Sequence, residues 1–269
     1  MNSTIKIAKV ILAGAGPGDP ELITLKTLRY LQEAEVVLAD RLVSAEILNC
    51  YVNPRAEILY VGKQCRKGIS TPQSSINDLM VYHARQGKLV VRLKGGDVSI
   101  FSNILDELKI LYQEKIPYEI VPGVTAALGA AAYSGIPLTA RGYSTAVRFV
   151  TYYKSDIVSD AYWKELADTT DTLVFYMSAE TLDSVVAHLL ANNISCDKKL
   201  AVIGQATTPQ QQVTVYPLQD YAFKKSTGYI SPTIAIVGKV VSLHEQFAWL
   251  PNNESPIEYF TTGKTAIKK

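Results

Sequence analysis

Short apolar runs alternate along this chain with helix-length stretches in which apolar positions recur by threes and fours, the pattern of a protein that alternates strands and helices. In the first half, residues 9–13, 35–39, 58–61, 89–94 and 118–121 read as strands. Their Val, Ile and Leu content suits strands buried on both faces of a parallel sheet. Between them, Leu22, Leu25, Leu28 and Leu31 mark one helix, residues 74–86 a second and residues 104–114 a third. Residues 124–134 are almost all small, which predicts a helix packed close to its neighbours and ended by Gly135 and Pro137. The pattern starts again near Tyr143, with strands expected over 148–151, 172–177, 200–203, 212–215 and 233–237 and a helix over 182–192. The expected organisation is α/β in two domains, 1–142 and 143–250, the second with a smaller and mixed sheet. Residues 251–269 are polar and poorly patterned, and a loose tail is expected there.

Three strands of the first half run straight into glycine. The sequences are Gly14-Ala15-Gly16-Pro17-Gly18-Asp19-Pro20, Gly95-Gly96-Asp97 and Pro122-Gly123-Val124-Thr125-Ala126-Ala127. An open α/β sheet binds its ligand outside the carboxyl ends of the strands. Glycine there allows backbone to approach a ligand that a β-carbon would hold off. The three edges predict a site for a small cofactor.

Composition narrows the class. Hydrophobic residues make up 48% and charged residues 19% of the 269, which is globular. A formal charge of +2, with no long Lys/Arg block, argues against nucleic acid. No apolar run reaches membrane-spanning length, and the first ten residues lack the apolar core of a signal peptide. Cys50, Cys65 and Cys196 are far apart, which points to a reducing compartment, the cytoplasm being expected. His83, His188 and His244 are not grouped to hold a metal, and none is expected.

A glycine loop after the first strand and Asp40 after the second raise the alternative of a nicotinamide-dependent oxidoreductase. The details oppose it. Asp19 stands where the dinucleotide fingerprint needs glycine, and Pro17 and Pro20 each remove an amide donor that a pyrophosphate would use. No G-x-x-x-x-G-K-[ST] occurs either.

Residues 14–26, from Gly14-Ala15-Gly16-Pro17-Gly18-Asp19-Pro20 to Lys26, resemble the opening signature of the tetrapyrrole methylases. Asp40-Arg41-Leu42-Val43-Ser44, Val61-Gly62-Lys63 and Val91-Arg92-Leu93-Lys94-Gly95-Gly96-Asp97 resemble the uroporphyrinogen-III C-methyltransferase branch of that family. So do Tyr133-Ser134-Gly135-Ile136-Pro137-Leu138-Thr139, Thr172-Leu173-Val174-Phe175-Tyr176-Met177 and Thr207-Thr208-Pro209-Gln210-Gln211, in order along residues 9–250. The resemblance implies a two-domain fold, each domain a sheet flanked by helices with the active-site cleft between them, and a homodimer. It implies S-adenosyl-L-methionine as cofactor, S-adenosyl-L-homocysteine as its product, and methylation of uroporphyrinogen III at C-2 and C-7 to precorrin-2 through precorrin-1, feeding siroheme and cobalamin. Carried over by motif, the cofactor contacts are Pro17, Gly95, Gly96, Asp97, Ile100, Thr125, Ala126, Met177 and Ala206. Asp40 matches the position of a proton acceptor and Lys63 that of a donor.

The residue types suit that chemistry. Methylating a pyrrole carbon leaves a cationic ring that must lose its N–H proton, so a nearby carboxylate such as Asp40 can stabilise the charge and accept the proton. A substrate with eight carboxylates calls for cations. Lys63 and Arg141 lie inside motifs, whereas Arg92, Lys94 and Arg148 read mainly as solvated charges. The family pattern is broken at Val98, at Ser102-Asn103-Ile104-Leu105, at Ala140 and at Tyr152-Tyr153. These changes fall on the expected substrate side, where Tyr152 and Tyr153 could replace lost donors. A later precorrin methyltransferase of the same fold is therefore the alternative.

Overall fold

The structure is a computed structural model that describes residues 7–61, 63–64, 69–70, 73–152, 158–221, 229–253 and 257–260; around the short hairpin, side chains of 63–64, 69–70 and 73 are left undescribed. It packs as two units, residues 1–125 with 260–269, and residues 126–259.

The first unit carries β1 (Val10–Gly14), α1 (Leu25–Glu33), β2 (Val36–Ala39), α2 (Ala45–Tyr51), β3 (Glu57–Tyr60), β4 (Lys63–Gln64), β5 (Ile69–Ser70), α3 (Gln73–Arg85), β6 (Val90–Lys94), α4 (Ile104–Gln113) and β7 (Tyr118–Val121). Five strands form one sheet in the order β3-β2-β6-β1-β7, with all pairings parallel. Such strands need helical crossovers, and α1, α2, α3 and α4 supply them. Val10, Leu12, Val36, Leu38 and Val90 pack with Met80 and Leu111 on one face. Ile11, Ala13, Val37, Ala39, Val91 and Leu93 pack with Leu31 and Ile47 on the other. Two-sided burial explains the unbroken apolar runs. Thr24 caps α1, its hydroxyl accepting from the Thr27 amide at 3.2 Å, and Ser44 caps α2 in the same way.

The second unit carries α5 (Ala126–Tyr133), β8 (Val147–Thr151), α6 (Asp160–Asp168), β9 (Thr172–Tyr176), α7 (Leu182–Ala191), β10 (Lys199–Gly204), β11 (Gln212–Pro217), α8 (Leu218–Tyr221), β12 (Thr233–Gly238) and α9 (His244–Phe247). Its sheet runs β11-β10-β12-β9-β8 and is mixed: only β8 and β9 pair in parallel. Trp163 and Leu166 of α6 and Val185, Val186 and Leu189 of α7 close its core over Phe175, Leu200 and Val237.

The sequence reading divides the chain after residue 142, while packing divides it after Thr125. The small-residue helix α5 thus goes with the second unit, where the Ala127 amide donates to the Tyr176 hydroxyl at 3.0 Å. The tail also differs from expectation where it is described. Asn252 both accepts from and donates to the Val213 backbone at 2.8 Å, and the Gln205 amide group donates to the Ile257 carbonyl at 3.0 Å. These bonds tie Asn252 and Ile257 to the ends of β10 and β11.

Candidate functional site

In the first unit, the strand order β2-β6-β1-β7 places Asp40, the Gly95-Gly96-Asp97 loop, the Gly14–Gly18 loop and the Gly123–Thr125 loop at the same end of four adjacent strands. Parallel pairing forces this, because every strand then delivers its carboxyl end to one edge. Backbone joins the loops. The Ala15 amide donates to the Lys94 carbonyl at 2.8 Å, and Gly16 and Gly96 exchange amide-to-carbonyl bonds of 2.7 and 3.2 Å. A β-carbon on Gly14 would lie 2.6 Å from the Gly96 oxygen, and one on Gly123 only 2.4 Å from it. At Gly95 the obstacle would be Leu42, at 2.6 Å. Gly14 and Gly123 therefore serve first to let backbone pack on backbone, and Gly95 to make room for Leu42.

Asp97 is buried and organises the cluster. Its Oδ2 accepts from the Gly123 amide at 2.9 Å and its Oδ1 from the Ser99 amide at 2.8 Å. Burial pushes its carboxyl up, but hydrogen bonds from the Ser99 side chain and from the Gly123, Ser99 and Val98 amides outweigh this and hold it below the ordinary value. Asp40 is half-buried beyond β2. Its amide donates to the Leu93 carbonyl at 2.9 Å, and its Oδ1 accepts from the Arg41 amide at 2.7 Å. Pro17 and Ile100 are half-buried at this edge and Thr125 is buried. Lys63 opens β4 just beyond β3, but its side chain lies outside the described residues.

Two cations are not where the sequence suggests. Arg92 and Lys94 are 3% and 4% exposed, not solvated. Both pair with the fully buried Glu107 of α4, Arg92 Nε at 2.9 Å and Lys94 Nζ at 3.0 Å. Arg148 is also engaged, with Asp171 at 2.5 Å and with Glu165. Among the expected substrate cations, Arg141 stands exposed in the turn between Ala140 and Ser144.

In the second unit, β9 and β10 are both antiparallel to β12 and so end on one edge. Met177 follows β9 and Ala206 follows β10, while the Tyr176 hydroxyl brings the first turn of α5, with Ala126, to the same edge. Non-glycine residues with left-handed backbone gather here: Met177 has φ +54°, and Gln205 (+49°) and Thr207 (+66°) flank Ala206. For a β-branched residue such as Thr207 this conformation is an outlier, and such strain concentrates at functional positions. Sequence gives no local signal for it. Met177 is 45% exposed, so its thioether is presented rather than packed away. Tyr152 instead lays its ring edge-on against Trp163, centroids 5.2 Å apart, over the core of the unit. Tyr153 lies outside the described residues.

No group of three or more His, Cys, Asp or Glu that could hold a metal occurs among the described residues, and no helix there is long and apolar enough to cross a membrane. Comparison with known proteins places the whole arrangement. The profile of the Tetrapyrrole (Corrin/Porphyrin) Methylases matches residues 9–222. Proteins named siroheme synthase from Acinetobacter baylyi and Saccharophagus degradans are 46% and 45% identical over 90% and 92% of this chain, but over 53% and 54% of their own length. The chain spans about half the length of the curated relatives it matches. Among solved structures, the uroporphyrin-III C-methyltransferase of Thermus thermophilus complexed with S-adenyl homocysteine is 35% identical with a TM-score of 0.74, covering 88% of this chain and 100% of that one. A cobalt precorrin-4 methyltransferase is 29% identical with a TM-score of 0.76, covering 87% of this chain and 95% of that one. With the same two-sheet fold, the glycine-joined strand ends and a profile match from β1 into α8, the chain belongs to the tetrapyrrole methylases.

Proposed function

We propose that this chain transfers methyl groups from S-adenosyl-L-methionine to C-2 and C-7 of uroporphyrinogen III, giving precorrin-2 through precorrin-1 and feeding siroheme or cobalamin synthesis. The observation that carries the reading is Asp40 at the end of β2, next to the β6 end that carries Gly95-Gly96-Asp97, in a chain 35% identical over 88% of its length to a uroporphyrin-III C-methyltransferase. The later precorrin methyltransferase is the weaker reading, because identity falls to 29% there while siroheme synthases reach 46%.

When bound, S-adenosylmethionine supplies a methyl group already activated by its sulfonium. The residues present fit it. Gly95 and Gly96 keep side chains off the strand end, Asp97 spends its carboxylate on holding Gly123 in place, and Met177 offers an exposed thioether. Pro17, Ile100, Thr125, Ala126 and Ala206 complete the set we assign to the cofactor. Asp40 accepts the pyrrole N–H proton once the ring carbon is alkylated, and its charge stabilises the cationic ring before that. Lys63 is assigned the proton-donor role that its motif position implies. Arg141 meets a substrate carboxylate, with Tyr153 as a further donor to the substrate, while Tyr152 packs on Trp163.

We place the enzyme in the cytoplasm as a homodimer. Leu128, Phe247 and Trp249 expose large apolar side chains in the second unit, a surface that a second copy could cover. Incubation with uroporphyrinogen III and S-adenosylmethionine, followed by mass analysis, tests the function. A dimethylated tetrapyrrole is expected. Methylation of precorrin-2 with uroporphyrinogen III left untouched would assign the later step instead.

A further inference from the structure

The Arg92–Glu107–Lys94 cluster has no part in the chemistry assigned above, yet it lies at the root of the Asp40 edge. Arg92 and Lys94 alternate with Leu93 along β6 and so reach the same face, where Glu107 of α4 meets both. Arg92 also donates from Nη1 to the Leu38 carbonyl at 3.2 Å, on the neighbouring strand two residues before Asp40. Between the two cations, the Leu93 carbonyl accepts from the Asp40 amide at 2.9 Å. The cluster is thus stitched to β2 immediately before its catalytic candidate.

Its charge does not balance. Two buried cations face one buried carboxylate, and a surplus positive charge in a desolvated place needs a counter-charge. Burial pushes the Lys94 ammonium below its ordinary value, Glu107 opposes that, Arg92 reinforces it, and Asp40 adds a further opposing attraction. The β2–β6 register sets Leu38 beside Arg92 and Ala39 beside Leu93, and the Asp40 amide continues that ladder to the Leu93 carbonyl, so Asp40 follows β2 alongside Lys94 as the second carboxylate at this strand end.

We propose that Lys94 is a positioning residue for Asp40: anchored by Glu107, it presents its charge to the Asp40 carboxylate, while Arg92 fixes the strand that carries it. This rests on the role given to Asp40 above. A double-mutant cycle tests it, with kcat for methyl transfer as the readout. Lys94→Met is expected to lower kcat about tenfold with little change in the KM for S-adenosylmethionine, and Lys94→Arg to recover most of the loss. In an Asp40→Asn background the same Lys94→Met change is expected to alter kcat less than about twofold, because the partner it serves is gone. Equal losses in both backgrounds would overturn the positioning role while leaving Asp40 in place. A fully active Asp40→Asn enzyme would overturn the underlying assignment. Should Lys94→Met fail to fold, the thermal stability of Asp40→Asn alone decides: a lower Tm is expected from loss of the counter-charge, and an unchanged Tm would sink the proposal.

Discussion

A β-carbon at Gly123 would stand 2.4 Å from the Gly96 oxygen and 2.9 Å from the Gly14 Cα, and no side-chain rotation can relieve contacts made with backbone. Gly123→Ala is therefore expected to cost about 1–3 kcal/mol of stability, read from urea unfolding, through forced separation of the β1, β6 and β7 ends. A stability equal to the parent would mean the three loops do not pack as described. Met177 presents the opposite case. Its left-handed backbone (φ +54°) costs a non-glycine residue about 1–2 kcal/mol, so the side chain is kept there against local preference. Met177→Gly should hold stability within about 1 kcal/mol, the relief of strain offsetting lost contacts and chain entropy. The same change should weaken S-adenosylhomocysteine binding by roughly three- to tenfold in calorimetry, the range expected for loss of a thioether contact. Unchanged affinity would remove Met177 from the cofactor assignment. The glycines were readable from the sequence because they follow apolar runs directly. The left-handed residues Met177, Gln205 and Thr207 were not, since no local residue choice announces them.

The strands were the most legible elements, because burial on both faces leaves them as continuous apolar runs such as Val36–Ala39 and Val90–Lys94. Short helices were not. α2 has only seven residues, and α6 shows its apolar face mainly through Trp163, Leu166 and Ala167 among polar neighbours. The Glu107 pairings were illegible for another reason: a charge on a strand end looks solvated until a helix 13 and 15 residues later delivers its partner. A second charged cluster ties elements together at the surface. Glu119 of β7 pairs with Lys26 of α1 and with Lys9, just before β1, and accepts from the Tyr30 hydroxyl at 2.8 Å. Lys26, Lys9 and Tyr30 lower its carboxyl from 4.5 to about 2. A carboxyl lowered by folding contributes stability that is fully present above its unfolded value and lost as pH falls through the folded one. The contribution should thus persist above about pH 4.5 and fade towards pH 2. Glu119→Gln should flatten the acid-unfolding curve within that window, by less than about 1 kcal/mol because solvent screens the pairs. An unaltered curve would show that the pairs add nothing to the packing of β7 and α1.

At the scale of the molecule, the glycine loop after β1 can suggest a nucleotide phosphate site until its hydrogen bonds are followed. The Ala15 and Gly16 amides are already given to the Lys94 and Gly96 carbonyls. Pro17 and Pro20 have no amide hydrogen to offer, and the Asp19 carboxylate caps the turn by accepting from Glu21 at 2.8 Å. A pyrophosphate there would find its donors committed and a carboxylate beside it. A cofactor without phosphate meets neither obstacle, in keeping with a fold shared with a methyltransferase crystallised with S-adenyl homocysteine. Ligand that binds only the folded state adds about 2.7 kcal/mol at a hundredfold excess over Kd, which for a chain of this size is a rise in Tm of about 5 °C or more. S-adenosylhomocysteine is expected to produce such a rise, and Gly96→Val to abolish it, since Gly96 holds φ +68° against the Gly16 backbone. NAD and NADP at the same concentration are expected to leave Tm unchanged. A rise with NAD and none with S-adenosylhomocysteine would require the loop to free amides that its own backbone now holds, and would overturn both the cofactor and the methyl-transfer reading.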